Sequence, residues 1–184
     1  YFLFIRNRSI LYVMIPGSKG HAIQQMEVSM IYLSLAVGVF LLDFFVKRHI
    51  DRTYAASVRH PRFGGRIILE KYYNDGAALN FLAKHPKQMR ALHTAVILAA
   101  GAVYVITLRS LGKPLEKTGL SLLIGGGANN LLDRFTKGHV VDYFRIRIGS
   151  KRLERIIFNL SDFFIFIGAL LAVIGSEQAP RRAG

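Results

Sequence analysis

The sequence predicts a mostly α-helical membrane protein, a bundle of four spans with small β elements at one end. Three observations predict it. Of the 184 residues 52% are hydrophobic and only 20% charged, more apolar than an ordinary soluble domain. The apolar residues are gathered into four blocks, and the mean hydropathy is +0.31. Two of the segments between blocks carry the turn and alternation signals of short strands. This composition excludes a disordered chain. The net charge of +14 would suit a nucleic-acid binder, but apolar runs near the length of a bilayer span would not. Cysteine is absent, which excludes disulfides, thiolate catalysis and cysteine-ligated zinc.

Residues 1–25 do not read as a span. Their apolar stretches are broken by Arg6, Asn7, Arg8 and Ser9, and they match a signal peptide only loosely. Met26 is a plausible start, so 1–25 is expected to be an extension outside a membrane domain at 26–176. The first span is expected at 28–46, if the polar end carrying Asp43 belongs to it. The second, at 91–108, holds only His93 as an ionisable residue. The third, at 119–134, is short and glycine-rich and ends on Asp133. Its Gly125-Gly126-Gly127 lacks the Gly-Lys-Ser/Thr of a phosphate loop and reads as close helix packing. The fourth, at 156–175, is interrupted by Asn159, Ser161 and Asp162, and 177–184 is a short basic tail.

The β-rich connections are expected at about 49–85 and 140–157. The first contains Gly64-Gly65, an apolar and aromatic stretch, and Asn74-Asp75-Gly76, whose Asp-Gly is a hairpin signal. In the second, 143–148 alternates as a strand does, and Gly149-Ser150-Lys151 offers a turn before a return through 153–157. Orientation gives a conflict. Of the 25 basic residues, 8 fall on the side of the termini and 17 opposite, so the positive-inside rule puts the two long connections in the cytoplasm.

Four acids, Asp43, Asp133, Asp142 and Asp162, lie in or beside spans, and tracing the chain out and back puts them at one membrane face. Ionisable groups there are costly and read as functional by default. Two close carboxylates share a proton: one acts on water as a base while the other hydrogen-bonds the substrate carbonyl. That is aspartic-protease chemistry, and it needs no metal or other cofactor. His49, His60, His85, His93 and His139 show no paired spacing for a metal. Ser161 beside Asp162 is a weak signal for a serine nucleophile. By position alone Asp133 is as good a member of the pair as Asp142. Arg134 next to it favours its ionised form, which suits a structural ion pair.

These residues resemble the type II, or lipoprotein, signal peptidases of bacteria. Over 41–171 the matching motifs follow in order: Leu42-Asp43 with Lys47, then Asn74-Asp75-Gly76-Ala77-Ala78-Leu79, then Gly125 to Arg134 with its Asn129-Asn130-Leu131-Leu132-Asp133-Arg134. Gly138-His139-Val140-Val141-Asp142-Tyr143 and Phe158-Asn159-Leu160-Ser161-Asp162 complete the set. The resemblance implies four transmembrane helices with cytoplasmic termini, a small extracytoplasmic β-cradle, and residence in the bacterial cytoplasmic (inner) membrane. It implies cleavage of diacylglyceryl-modified prolipoproteins before the lipidated cysteine, and inhibition by globomycin. By motif position, Asp142 and Asp162 would be catalytic. Asn74, Asn130, Arg134 and Asn159 would hold substrate, and Asp43, Lys47 and Asp133 would support the site. The chain departs from the family at Asn129, Ser161 and Leu79, where a glycine, an alanine and an aromatic are usual. The basic excess is expected to meet anionic lipid headgroups. The competing reading is a non-catalytic paralog, or a polytopic protein that binds lipid or lipoprotein through the same acids.

Overall fold

The computed structural model describes residues 18–56, 58–76, 84–147, 149–150 and 153–177. Four long helices dominate: α1 (Ser18–Thr53), α2 (Pro86–Arg109), α3 (Pro114–Thr136) and α4 (Leu160–Glu177). Helix α1 overruns the span expected at 28–46 at both ends, and its 36 residues reach roughly 54 Å against a hydrocarbon core of roughly 30 Å. Its polar ends therefore lie beyond the apolar layer. Proline opens both α2 and α3, where its missing N–H costs no hydrogen bond.

Among the described residues three helices, α1, α2 and α4, are long and apolar enough to cross a membrane. The exception is α3, expected as the third span. It is diluted by Glu116, Lys117, Asn129, Asn130, Asp133 and Arg134, all of them buried. The reason is its place in the bundle: α3 packs most extensively on α4, then on α1, then on α2, so its polar residues face protein. Its glycines permit that closeness. A Cβ on Gly126 would lie 2.7 Å from the Ser161 carbonyl oxygen, and one on Gly168 of α4 would lie 2.6 Å from the Gly119 carbonyl oxygen. The outward faces of the other three carry exposed Ile31, Leu98, Ile106, Phe166 and Val173, as lipid-facing surfaces do.

The fourth span, expected from 156, begins only at Leu160, because Ile157–Phe158 is taken by a strand. Four strands form one antiparallel sheet in chain order: β1 (His60–Arg62), β2 (Ile67–Asn74), β3 (Val140–Ile146) and β4 (Ile157–Phe158). At Asn74-Asp75-Gly76, where a hairpin is expected, the described residues end at Gly76. β2 ends at Asn74 and pairs with β3, while the β1–β2 turn is Phe63-Gly64-Gly65, where both glycines take positive φ (65° and 83°). A strand after Gly76 would fall in 77–83, outside the described residues, as does Leu79. β3 begins three residues before the alternation at 143–148, and a 3-10 turn at Leu153–Arg155 intervenes before β4. Val141 and Tyr143 share one face of β3 and pack with Ile50 of α1, which seats the sheet on the bundle.

Candidate active site

Asp142 points from β3 to the face opposite Val141 and Tyr143. Its cross-strand partner on β2 is Tyr72, so Asn74, two residues on, presents its side chain on the same face. Asn74 Nδ2 donates to Asp142 Oδ2 at 2.8 Å, and Asn159 Nδ2 donates to Oδ1 at 2.6 Å. The carboxyl is 1% exposed. Burial and the nearby Asp162 push it up to about 7, although both amide donors pull it the other way.

Asp162 reaches the same place from the first turn of α4. Asn159 caps that helix: its Oδ1 accepts from the Asp162 N–H at 2.9 Å, while its own N–H donates to Asp162 Oδ2 at 3.0 Å. This is a capping box, with Asn159 as N-cap and Asp162 as the third helical residue. Asn130 Nδ2 of α3 donates to the remaining oxygen, Oδ1, at 3.0 Å. Asn159 therefore touches both carboxyls, and the site draws on β2, β3, α3 and α4.

Asp43 and Asp133 go elsewhere. Lys47, 1% exposed, lies 3.3 Å from Asp43 and 2.9 Å from Asp133, and donates to Asn129 Oδ1 at 2.9 Å and Asn130 Oδ1 at 2.6 Å. Asp43 also accepts from Tyr143 Oη at 2.8 Å, from the Ser161 N–H at 3.2 Å and from the Ser161 hydroxyl. Burial and Asp43 together hold the Tyr143 phenol far above its ordinary range, so it stays a donor. The four acids thus divide into a pair gathered by Asn159 and a pair neutralised by Lys47.

The ion pair expected between Asp133 and Arg134 does not form. Consecutive helical residues point in different directions. Asp133 turns to Lys47 and to Lys137 (3.1 Å), whereas Arg134 donates to the Asp75 and Gly76 carbonyls at 3.3 and 2.5 Å. Its Nε is buried and has no hydrogen-bond partner among the described residues. Asn74 proves to have two jobs, since its Oδ1 also accepts from the Gly76 N–H at 3.0 Å and closes the turn. Among the described residues no three His, Asp or Glu side chains converge as metal ligands.

Three contributors were not marked as such by the sequence. Tyr143 links Asp43 to the start of α4, accepting from the Leu160 N–H at 3.0 Å. Asn129 and Ser161, the departures from the usual motif, each add a polar contact: Asn129 Nδ2 donates to the Phe40 carbonyl at 2.7 Å, and Ser161 binds Asp43. The signal available was that both are polar residues inside otherwise apolar, close-packed helices.

The model of the family described as Signal peptidase (SPase) II matches residues 35–177. A lipoprotein signal peptidase of Cupriavidus taiwanensis is 31% identical over 91% of this chain and 94% of its own length. That of Ralstonia nicotianae is 35% identical over 82% of this chain and 86% of its own. A bacterial membrane enzyme solved by the in meso method at 2.3 Å resolution shares the fold, with a TM-score of 0.69 and 22% identity over 84% of this chain and 94% of that one.

Proposed function

The chain belongs to the signal peptidase II family, and we propose that Asp142 and Asp162 are its catalytic pair. It is a multi-pass membrane aspartic endopeptidase that removes signal peptides from prolipoproteins. The observation that carries the pairing is Asn159, which donates to one oxygen of each carboxyl. The same four-acid set offers no equal alternative, since Asp133 is bound to two ammonium groups.

The pair holds one proton, and Asp142, the more deeply buried carboxyl, carries it. Asp162, ionised, takes a proton from water as the water oxygen bonds to the scissile carbonyl carbon. Asp142 donates its proton to the carbonyl oxygen, giving a neutral tetrahedral diol. Collapse returns a diol proton to Asp142, and Asp162 passes its proton to the departing amine as the C–N bond breaks, which restores the starting state. Asn74, Asn130 and Asn159 keep the carboxyls aimed, and together with Arg134 line the path of an extended substrate backbone. The Arg134 Nε N–H, which has no partner among the described residues, is a donor suited to a substrate carbonyl.

The substrate is the diacylglyceryl-modified form, cut before the lipidated cysteine, with globomycin as a competing ligand. Residence in the cytoplasmic membrane, a site near its outer face and a catalytic core at 26–176 belong to the same reading. The test is a gel-shift assay on a lipidated prolipoprotein in detergent, with Asp142→Asn and Asp162→Asn beside the parent. Loss of at least roughly 100-fold in both variants is expected from removal of an acid–base group. Full activity in either would remove that residue from the pair. Binding without cleavage by folded parent protein would favour the non-catalytic paralog.

A further inference from the structure

A concavity of about 230 Å³, lined mostly by charged residues, opens between the ends of α1 and α3. Helix α1 contributes Phe44, Arg48, Asp51 and Arg52, which the helical repeat places on one face, and α3 contributes Asp133 and Lys137. Lys47 forms its inner wall. The charges in this lining are not evenly used. Lys47 is matched by Asp43 and Asp133, and Lys137 by Asp133 and Asp51. Arg48 and Arg52, both exposed, have no carboxylate partner among the described residues, so the cavity carries two uncompensated guanidinium groups one helical turn apart.

Its depth along the helix matters equally. Leu41, Leu42 and Phe45, exposed on α1, belong to the apolar stretch, whose one acid, Asp43, is buried, and exposed charged residues begin at Arg48. Arg48 and Arg52 therefore stand where a bilayer changes from acyl chain to headgroup. Guanidinium groups match phosphate oxygens in two-point hydrogen bonding and lose less on dehydration than an ammonium does.

We propose that this concavity binds the phosphate of an anionic phospholipid, held by Arg48 and Arg52, with the acyl chains lying along Phe44 and the apolar face of α1. The aromatic ring of Phe44 in the lining favours a lipid over free phosphate. The unmatched pair of cations favours an anionic headgroup over a zwitterionic one, which brings its own cation. The site does not depend on which acids are catalytic.

The test is native mass spectrometry of the full chain released from nanodiscs containing equal phosphatidylglycerol and phosphatidylcholine. Phosphatidylglycerol should be retained in preference. The Arg48→Gln/Arg52→Gln variant should retain about thirtyfold less, since each basic residue near an anionic surface contributes about a factor of five. Arg62→Gln/Arg66→Gln removes the same charge from residues flanking the β1–β2 turn, which do not line the concavity, and should keep the lipid. Equal losses in the two variants would mean a diffuse field and overturn the site. Equal retention of phosphatidylcholine, or displacement of the lipid by inorganic phosphate, would overturn it as well.

Discussion

Asn159 and Asp162 cap one another, through hydrogen bonds of 2.9 and 3.0 Å that run in opposite directions across the first turn of α4. A device for starting a helix therefore also aims a carboxyl. Asn159 has one further group, its Nδ2, and spends it on Asp142. Helix initiation and site assembly are the same event at this residue.

The two roles separate by substitution. Asn159→Ala removes the cap and should cost roughly 0.5–2 kcal/mol of stability as well as activity. Asn159→Ser keeps a capping oxygen but cannot reach Asp142. It should unfold near the parental temperature and still cleave poorly. Parental cleavage by the serine variant would show that the Asp142 contact is dispensable.

The pH dependence follows from Asp142, raised from the ordinary 3.8 to about 7 by burial and by Asp162. Because the folded state holds this proton more tightly, its stabilising effect is complete below the ordinary aspartate range. It declines as pH rises and is gone above about 7, at up to about 1.4 kcal/mol per pH unit. Cleavage should fall on the same alkaline limb. Thermal unfolding of Asp142→Asn across this window should lack the slope, and an unchanged slope would assign it to another group.

Lys47→Met leaves Asp43 and Asp133 buried without their shared cation. A loss of about 3–5 kcal/mol is expected, read as a lower unfolding temperature in detergent. Adding Asp133→Asn should return part of it, because that carboxylate would be left with only Lys137 as a cation. No recovery would mean that Asp43 bears the whole penalty.

Gly126 lies against the Ser161 carbonyl, one residue before Asp162. An added Cβ would sit 2.7 Å from that oxygen and 3.3 Å from Phe164 and Ile165. Gly126→Ala should therefore push the start of α4 away from α3 and lower the cleavage rate at saturating substrate by more than it raises KM. A variant with parental rate would show that α4 tolerates the shift.

The charge distribution that conflicts with a site near the outer face has a partial explanation in the fold. On the site's side Lys47, Arg59, Lys71, Lys137 and Arg145 are all engaged with acids. Glu70, 5% exposed on β2, receives both Arg59 (3.1 Å) and Arg145 (2.5 Å), tying β1 and β3 to it. Five of the 17 basic residues on that side are therefore structural.

Sequence alone determined the helical membrane class, because long apolar blocks have few other stable solutions. It determined the polar set at one end of the bundle, because charged residues are too costly in a span to occur without a partner. Local signals served less well where the partner is distant. The pairing of β2 with a strand some 70 positions later is announced by no local turn, and Ile157–Phe158 reads as helix until β3 claims it. What tertiary structure decided was the division of the acids. Position along the chain leaves Asp133 and Asp142 equivalent. Packing of α1 on α3 brings Lys47 to Asp133, and pairing of β3 with β2 and β4 brings Asp142 to Asn74 and Asn159. Whether a buried carboxyl meets a cation or another carboxyl depends on contacts between distant segments, and those contacts exist only in the folded chain.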